Sequence, residues 1–382
     1  MRICRVQNSF PNRSNPGGGL YSYYLAKYID EPTLYLIKAT RSEKSEIPPH
    51  VRLREIKSWL DGAWSVRSSN HRVEIVHSYV PERQLKKILQ SGEYFLRSLP
   101  PLIRFRPEIV VCKSTLKLLH GLFAKYALGA KFVASLHNTS EIDLMKRIPF
   151  LRWMLGRADL IFVVAREIED GVQRMIPKAK VVCTPTGVDL EMFQHRALPR
   201  KKQLIAVGSF KSKKGFSYLI DAMAEFFPRH PDYQLLIAGD GERRKEIEEQ
   251  IKSNNLEGKI ILLGIVQREQ LVQLLNESKL FVMSSLYEGF PKALLEALAC
   301  GTPAVITTGC NATEIIKETG LMVSKGDSRA LAEAACRLIE DDRLWTRCAG
   351  NCRAVAMSYE WKEIASTVYR NLQGILENRA HV

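Results

Sequence analysis

The chain has 382 residues, of which 46% are hydrophobic and 25% charged, with a formal net charge of +15. That length exceeds one ordinary core and points to two domains, and the apolar runs are too short to span a membrane. The opening MRICRVQNSF lacks an apolar core of signal-peptide length. The eight cysteines are scattered without a CxxC pair. Cys348 and Cys352, four apart, have no partner pair nearby to complete a metal site. Reduced, mostly buried thiols and a cytoplasmic location are therefore expected.

The charge is unevenly placed. Residues 1–200 hold 32 Lys+Arg against 18 Asp+Glu, or +14, and residues 201–382 hold 24 against 23, or +1. An excess confined to one half points to an anionic partner for that half: a phosphorylated acceptor, an anionic membrane surface or nucleic acid. Plain solubility charge is the competing reading. No recognised nucleic-acid motif is present.

In chain order, 2–7 reads as a first strand, a Gly-rich turn follows, and 20–29 reads as a helix with Leu20, Tyr24 and Tyr28 on one face. Gly17, Gly18 and Gly19 open that helix, so backbone there can approach a ligand closely. A flexible turn explains them as well, because no GxGxxG or P-loop pattern is present. Strand candidates follow at 34–37, 73–76, 109–112, 132–136, 160–164 and 181–183. A second series occupies 204–207, 235–238, 260–263, 280–283, 304–307 and 321–323. Helical stretches between strands argue two parallel sheets, each covered on both faces. The polar, basic stretch 193–202 with Pro199 reads as the linker. Two segments, 83–106 and 145–157, interleave basic and apolar residues, and so could lie in a membrane interface or pack one face on their own core.

The stretch 280–303, LFVMSSLYEGFPKALLEALACGTP, reads as strand, loop, helix. Pro291 suits the first helical position, and Gly301 and Pro303 mark the stop. Amides around Gly289, Phe290, Pro291, Lys292, Ala293 and Leu294 would form a helix N-terminus that attracts phosphate. Glu288 in the loop and Glu296 on the second turn flank it. A carboxylate can accept hydrogen bonds from both hydroxyls of a vicinal diol. Phosphate and diols together describe a nucleotide sugar, whereas a packing helix with two surface glutamates is the bland alternative. At the end of the strand 132–136 stands His137, able to hydrogen-bond a hydroxyl or carry a proton. Lys211, Lys213 and Lys214 follow the strand 204–207, where a cation can neutralise a diphosphate leaving group. Gly239 and Asp240 make a tight turn at the same sheet edge, and Gly264 closes the next strand. No DxD occurs, so lysines and amides rather than a metal would meet that charge. Without GxSxG or HExxH, a hydrolase reading lacks its machinery.

The sequence resembles the retaining, nucleotide-sugar-dependent glycosyltransferases of family 4, which have the GT-B fold. EGFPKALLEALACGTPAV at 288–305 resembles the family's E-x7-E motif, and PTGVDLEMF at 185–193, VGSFKSKKGF at 207–216 and LLIAGDGE at 235–242 match its blocks in order. The resemblance implies an α/β architecture of two Rossmann-like domains with parallel sheets facing a central cleft. Residues 1–195 would bind acceptor, 203–360 would bind donor, and a C-terminal helix, 361–382, would cross back to the first domain. It also implies that Lys214 contacts the donor diphosphate, Glu288 the sugar and Glu296 the ribose. The amides from Phe290 to Leu294 would hold phosphate and sugar, His137 would lie near the sugar, and Gly17 to Gly19 near the phosphate. No metal or cofactor is implied, because the nucleoside diphosphate sugar, UDP- or GDP-linked, is a co-substrate. The acceptor would be a sugar or lipid-linked molecule in glycan, glycolipid or cell-surface polysaccharide synthesis, with the chain cytoplasmic or peripheral on the inner face of a membrane. An epimerase or inverting transferase of the same fold, and a non-catalytic anion- or membrane-binding protein, are the competing readings. The chain departs from the family pattern in three places. Ser209 stands where Arg is common, leaving Lys211 or Lys213 to replace its charge. Thr308, Cys310 and Asn311 stand where an Asp and a Gly-Gly turn are usual. Ala165 stands where Ser is frequent.

Overall fold

The computed structural model describes residues 1–7, 20–31, 33–38, 51–56, 84–113 and 115–377. The chain forms two compact units, Met1–Pro185 with Trp361–Val382, and Thr186–Glu360.

The first unit contains β1 (Ile3–Gln7), α1 (Leu20–Tyr28), β2 (Thr33–Lys38), β3 (Val51–Ile56), α2 (Gln84–Phe105), β4 (Ile109–Lys113) and α3 (Leu118–Leu128). It continues with β5 (Lys131–Leu136), α4 (Thr139–Arg147), α5 (Pro149–Leu155), β6 (Leu160–Val163), α6 (Arg166–Met175) and β7 (Val181–Cys183). Its seven strands run parallel in the order β3-β2-β1-β4-β5-β6-β7. LIFV is apolar throughout and IVVCK is apolar up to its last residue, Lys113, rather than alternating, as helices on both faces require. The last helix, α14 (Trp361–Glu377), packs on α1 and stacks Trp361 on Tyr24 with ring centroids 4.9 Å apart.

The second unit has β8 (Lys201–Val207), α7 (Phe216–Phe226), β9 (Gln234–Ala238), α8 (Arg244–Ser253), β10 (Ile260–Gly264), α9 (Arg268–Glu277) and β11 (Ser278–Met283). Then come α10 (Lys292–Ala299), β12 (Ala304–Thr307), α11 (Thr313–Ile316), β13 (Gly320–Val323), α12 (Ser328–Glu340) and α13 (Asp342–Met357). Its six parallel strands are ordered β10-β9-β8-β11-β12-β13. Successive residues feed two cores: Leu204, Leu235 and Leu280 point to one face, Ile205, Leu236 and Phe281 to the other. Among the described residues no helix is long and apolar enough to cross a membrane, and all eight cysteines are free thiols.

Three sequence expectations change. The stretch 193–202 is not a linker but part of the second unit: Phe193 is fully buried in its core. The Arg200 guanidinium there bonds the carbonyls of Cys300 (3.0 Å) and Gly301 (2.8 Å) at the end of α10, and Thr302 Oγ1 (2.7 Å). A cation at a helix C-terminus meets unsatisfied carbonyls, which is what the basic composition serves here. The strand β3 was not anticipated, because VRLREI alternates charge with apolar residues too briefly to stand out. The segment 145–157, expected to present one face to a core or a membrane, is split between two helices, since Pro149 ends the run of α4 and starts α5. The strand expected at 73–76 and the glycines Gly17, Gly18 and Gly19 lie outside the described residues.

Candidate functional site

In the second unit the order of strands reverses between β8 and β11, and the carboxyl edge beside such a reversal is where ligands bind in open α/β sheets. After β8 the chain makes a short 3-10 turn, Ser212–Lys214, and enters α7 through Gly215 at φ +62°. A Cβ at Gly215 would stand 2.2 Å from the Ser284 carbonyl oxygen, so only glycine lets the two loops touch. They are tied there: Leu286 N–H donates to Lys213 O at 2.8 Å, and Ser284 Oγ to Lys214 O at 3.1 Å.

That stitching brings Lys214 Nζ into an ion pair with Glu288 Oε1. Glu288 is buried and Lys214 half-buried, so the pair is little screened by water. Ser285 Oγ donates to the same carboxylate oxygen at 2.9 Å. The backbone of Glu288 is clamped on both sides by the loop after β12. Its N–H donates to Gly309 O at 2.8 Å, and its carbonyl accepts from Asn311 Nδ2 at 2.9 Å. Asn311 sits at φ +50°, a left-handed conformation that asparagine tolerates better than most residues. The departure from the family pattern at 308–311 is thus the segment that fixes Glu288.

Pro291 is the residue before α10 rather than its first turn, and its carbonyl accepts from Leu294 N–H at 3.1 Å. Lys292 N–H donates to Phe290 O at 3.1 Å. Of the amides expected to hold phosphate, those of Lys292 and Leu294 are therefore used within the turn, and those of Gly289, Phe290 and Ala293 make no backbone bond there. Phe290 packs its ring against Tyr359, centroids 5.9 Å apart. Glu296 and Lys292 on α10 and Arg268 at the start of α9 lie close enough to influence one another's charge. Burial pushes the Glu296 carboxyl upward, while the cations Arg268 and Lys292 pull it back and Asp189 adds to the rise. Burial lowers the Lys292 ammonium against the opposing pull of Glu296.

The remaining donor-side candidates are less enclosed. Ser209, Lys211 and Lys213 are exposed, so of the three lysines Lys214 alone joins the glutamate. Gly239 lies against the neighbouring turn, where a Cβ would meet Gly208 O at 1.8 Å, and its N–H donates to Gly264 O at 2.8 Å. Asp240 accepts from Gly241 N–H at 2.8 Å and stands 3.5 Å from Arg244.

His137 belongs to the first unit, just past β5. Its Nε2 is 2.9 Å from Ser135 Oγ, and its ring meets Tyr21 edge-on at 4.9 Å. The Glu141 carboxylate accepts from the N–H groups of His137 (2.8 Å), Asn138 (3.3 Å) and Thr115 (3.2 Å), closing the start of α4 and fixing the His137 backbone. Tyr21 OH shares a hydrogen bond of 3.0 Å with Thr184 Oγ1, and burial pushes its phenol up to about 12. Lys113, at the end of β4, stands 5.7 Å above the Tyr21 ring. Ala165 precedes α6 and offers it no side-chain cap.

Sequence reading missed Ser285, Asn311 and Arg268. Ser285 had the signal of a small hydroxyl three residues before a candidate carboxylate. Asn311 was marked only as a departure, and Arg268 had none, being remote in sequence from α10. Among the described residues one other group, His230, Cys336 and Glu340, has the donor types of a metal site, but Glu340 is already held by Arg229 at 2.7 and 2.9 Å.

Two family models match: Glycosyltransferase Family 4 over residues 42–192 and Glycosyl transferases group 1 over residues 188–355. The chain is 26% identical over 240 residues to N-acetyl-alpha-D-glucosaminyl L-malate synthase of Bacillus anthracis, covering 58% of this chain and 62% of that one. Across the first such relatives the match spans between 37% and 62% of the relative's own length. Among solved structures, sucrose-phosphate synthase of Thermosynechococcus elongatus superposes with a TM-score of 0.81 at 20% identity, over 98% of this chain and 99% of that one. Anabaena HepE, crystallised with UDP-glucose, superposes with a TM-score of 0.75 at 18% identity, over 98% of this chain and 100% of that one. With its two parallel α/β units and both halves matched by family models, the chain has the GT-B fold and belongs to the family 4, group 1 glycosyltransferases.

Proposed function

We propose that the chain transfers a hexosyl group from a nucleoside diphosphate sugar to an acceptor hydroxyl, with retention at the anomeric carbon. The observation that carries this reading is the buried Lys214–Glu288 pair at the reversal of the second sheet. A buried ion pair is poor value for stability alone, and an ammonium with three N–H donors can serve a carboxylate and a phosphate oxygen together. In the transfer, the bond from the anomeric carbon to the diphosphate oxygen breaks and the bond to the acceptor oxygen forms on the same face. The acceptor's proton passes to the departing phosphate oxygen. Lys214 stabilises the leaving charge, helped by the N–H groups of Phe290 and Ala293. A donor of this kind contributes about 3–4 kcal/mol to the transition state. Glu288, fixed by Ser285 and Asn311, orients the sugar hydroxyls. Glu296 accepts from the ribose diol. The chemistry needs no metal, and the basic first half favours an anionic acceptor such as a lipid-linked phosphate.

The test begins with thermal stabilisation by a panel of UDP- and GDP-sugars, since a ligand bound only by the native state raises its melting temperature. With the selected donor, Glu288→Gln and Lys214→Ala proteins that fold but turn over at the wild-type rate would sink the proposal. NMR of the product anomer separates retention from inversion. Sugar isomerised without any acceptor would favour an epimerase instead.

A further inference from the structure

Ten large hydrophobic side chains are exposed among the described residues, and seven of them belong to α2, α3 and the α4–α5 segment of the first unit. These helices join β3 to β4, β4 to β5 and β5 to β6, all progressing in one direction along the sheet. Right-handed crossovers in one direction place their helices on one face, and α2 packs on α3 and α3 on α5. The unpartnered apolar groups therefore share one side of the unit. On the opposite side α1 is covered by α14.

The densest part is the α4–α5 segment. Ile148, Phe150 and Trp153 are 42%, 56% and 49% exposed. The rings of Phe150 and Trp153 stack at 5.7 Å, which holds two aromatic planes side by side at the surface instead of burying them in the unit. Lys146, Arg147, Arg152 and Arg157 are all exposed around them, and the Arg157 guanidinium lies 5.1 Å over the Trp153 ring. Asp143 on α4 is exposed and already faces Lys146 at 3.4 Å, and the exposed acids Glu167 and Asp170 belong to α6, which packs on α4. Elsewhere on the same side Leu96 and Tyr126 are 64% and 66% exposed, and Arg104 is exposed on α2.

We infer that this side of the first unit docks on an anionic lipid bilayer, with Phe150 and Trp153 as the inserted anchor and the four cations of the α4–α5 segment against lipid headgroups. Charge selects the occupant. A protein partner or a second copy would cover apolar groups equally well, but a ring of cations around stacked aromatics matches a surface of negative headgroups over an apolar interior. Aromatic side chains favour that boundary because they combine a large apolar face with a polarisable edge.

The full chain is sedimented with vesicles of equal parts phosphatidylcholine and phosphatidylglycerol, and with vesicles of phosphatidylcholine alone. Binding to the mixed vesicles that weakens with salt is expected, together with a blue shift of tryptophan emission lost in Trp153→Phe. Phe150→Ala with Trp153→Ala weakens binding about tenfold, and converting Lys146, Arg147, Arg152 and Arg157 to Gln does so by at least as much. Stabilisation by the nucleotide sugar is unchanged in both variants, which shows that they fold and separates this surface from the sugar site. Absence of binding, equal binding to the two vesicle types, or wild-type binding by the charge variant overturns the inference. Self-association in sedimentation velocity that the same aromatic substitutions abolish overturns it in favour of a second copy.

Discussion

Both sheets reverse their strand order once, at β1 against β4 in the first unit and at β8 against β11 in the second. The carboxyl edge beside each reversal is filled differently. In the second unit the two loops are stitched backbone to backbone, and the result is one enclosed ion pair, Lys214 with Glu288, held by Ser285, Gly309 and Asn311. In the first unit Lys113 stands over an aromatic ring, and Tyr21 and His137 meet through ring contacts and single hydrogen bonds. Enclosure in the second unit makes each charge depend on its partner. In the first unit the Glu141 carboxylate meets backbone N–H groups, those of His137, Asn138 and Thr115, and not a side-chain cation.

The largest effect should follow from breaking the enclosed pair. Lys214→Met leaves the Glu288 carboxylate buried without its cation, which costs about 3–5 kcal/mol, and chemical denaturation measures it. Adding Glu288→Gln to Lys214→Met should recover much of that stability without recovering turnover, because the loss came from an unpaired charge. If the single variant is as stable as the parent, the second unit's edge is not held by charge.

Acid is the next probe, and it acts on the first unit. His120 is buried, with Nε2 2.7 Å from Ser98 Oγ and Nδ1 3.2 Å from the Lys117 carbonyl oxygen. Burial, with the neighbouring Lys117 charge, lowers its ring from 6.5 to about 3. The unfolded chain takes up the proton near 6.5 and the folded chain only near 3, so between those values the unfolded state binds more protons. The stability associated with neutral His120 is thus fully present above 6.5 and is lost as pH falls toward 3. The slope is about 1.4 kcal/mol per pH unit at most. Stability curves of wild type and His120→Gln against pH should converge as acid is added. Curves that stay parallel from neutral pH downward would show that His120 is not the group.

The smallest effects compare one hydrogen bond in each unit. Tyr21→Phe removes the 3.0 Å bond to Thr184 Oγ1 and should cost about 1 kcal/mol. Asn311→Ala removes one clamp on the Glu288 carbonyl, at a comparable cost in stability, but it should also lower turnover, because the carboxylate it positions is in the proposed transfer. Equal effects of the two substitutions on turnover would erase the contrast between the units.

Much of this was written in the chain. Apolar strand runs recurring with helical stretches between them determined two parallel α/β halves, since a strand buried on both faces must be apolar along its length. The lysines after the strand 204–207 and the Glu288-to-Glu296 spacing likewise located the nucleotide-sugar candidate, because a basic turn and a helix N-terminus are local features legible in residue order. Tertiary structure alone decided that Lys214, and not Lys211 or Lys213, meets Glu288, that Asn311 and Gly309 clamp that glutamate, and that Arg200 belongs to the end of α10 instead of a linker. It also decided that exposed apolar side chains of α2, α3 and α5 share one side of the first unit. Each of these depends on which strands lie next to one another. Neighbours in a crossover-connected sheet are distant in sequence, so their side chains meet through strand order and register, which no local pattern encodes.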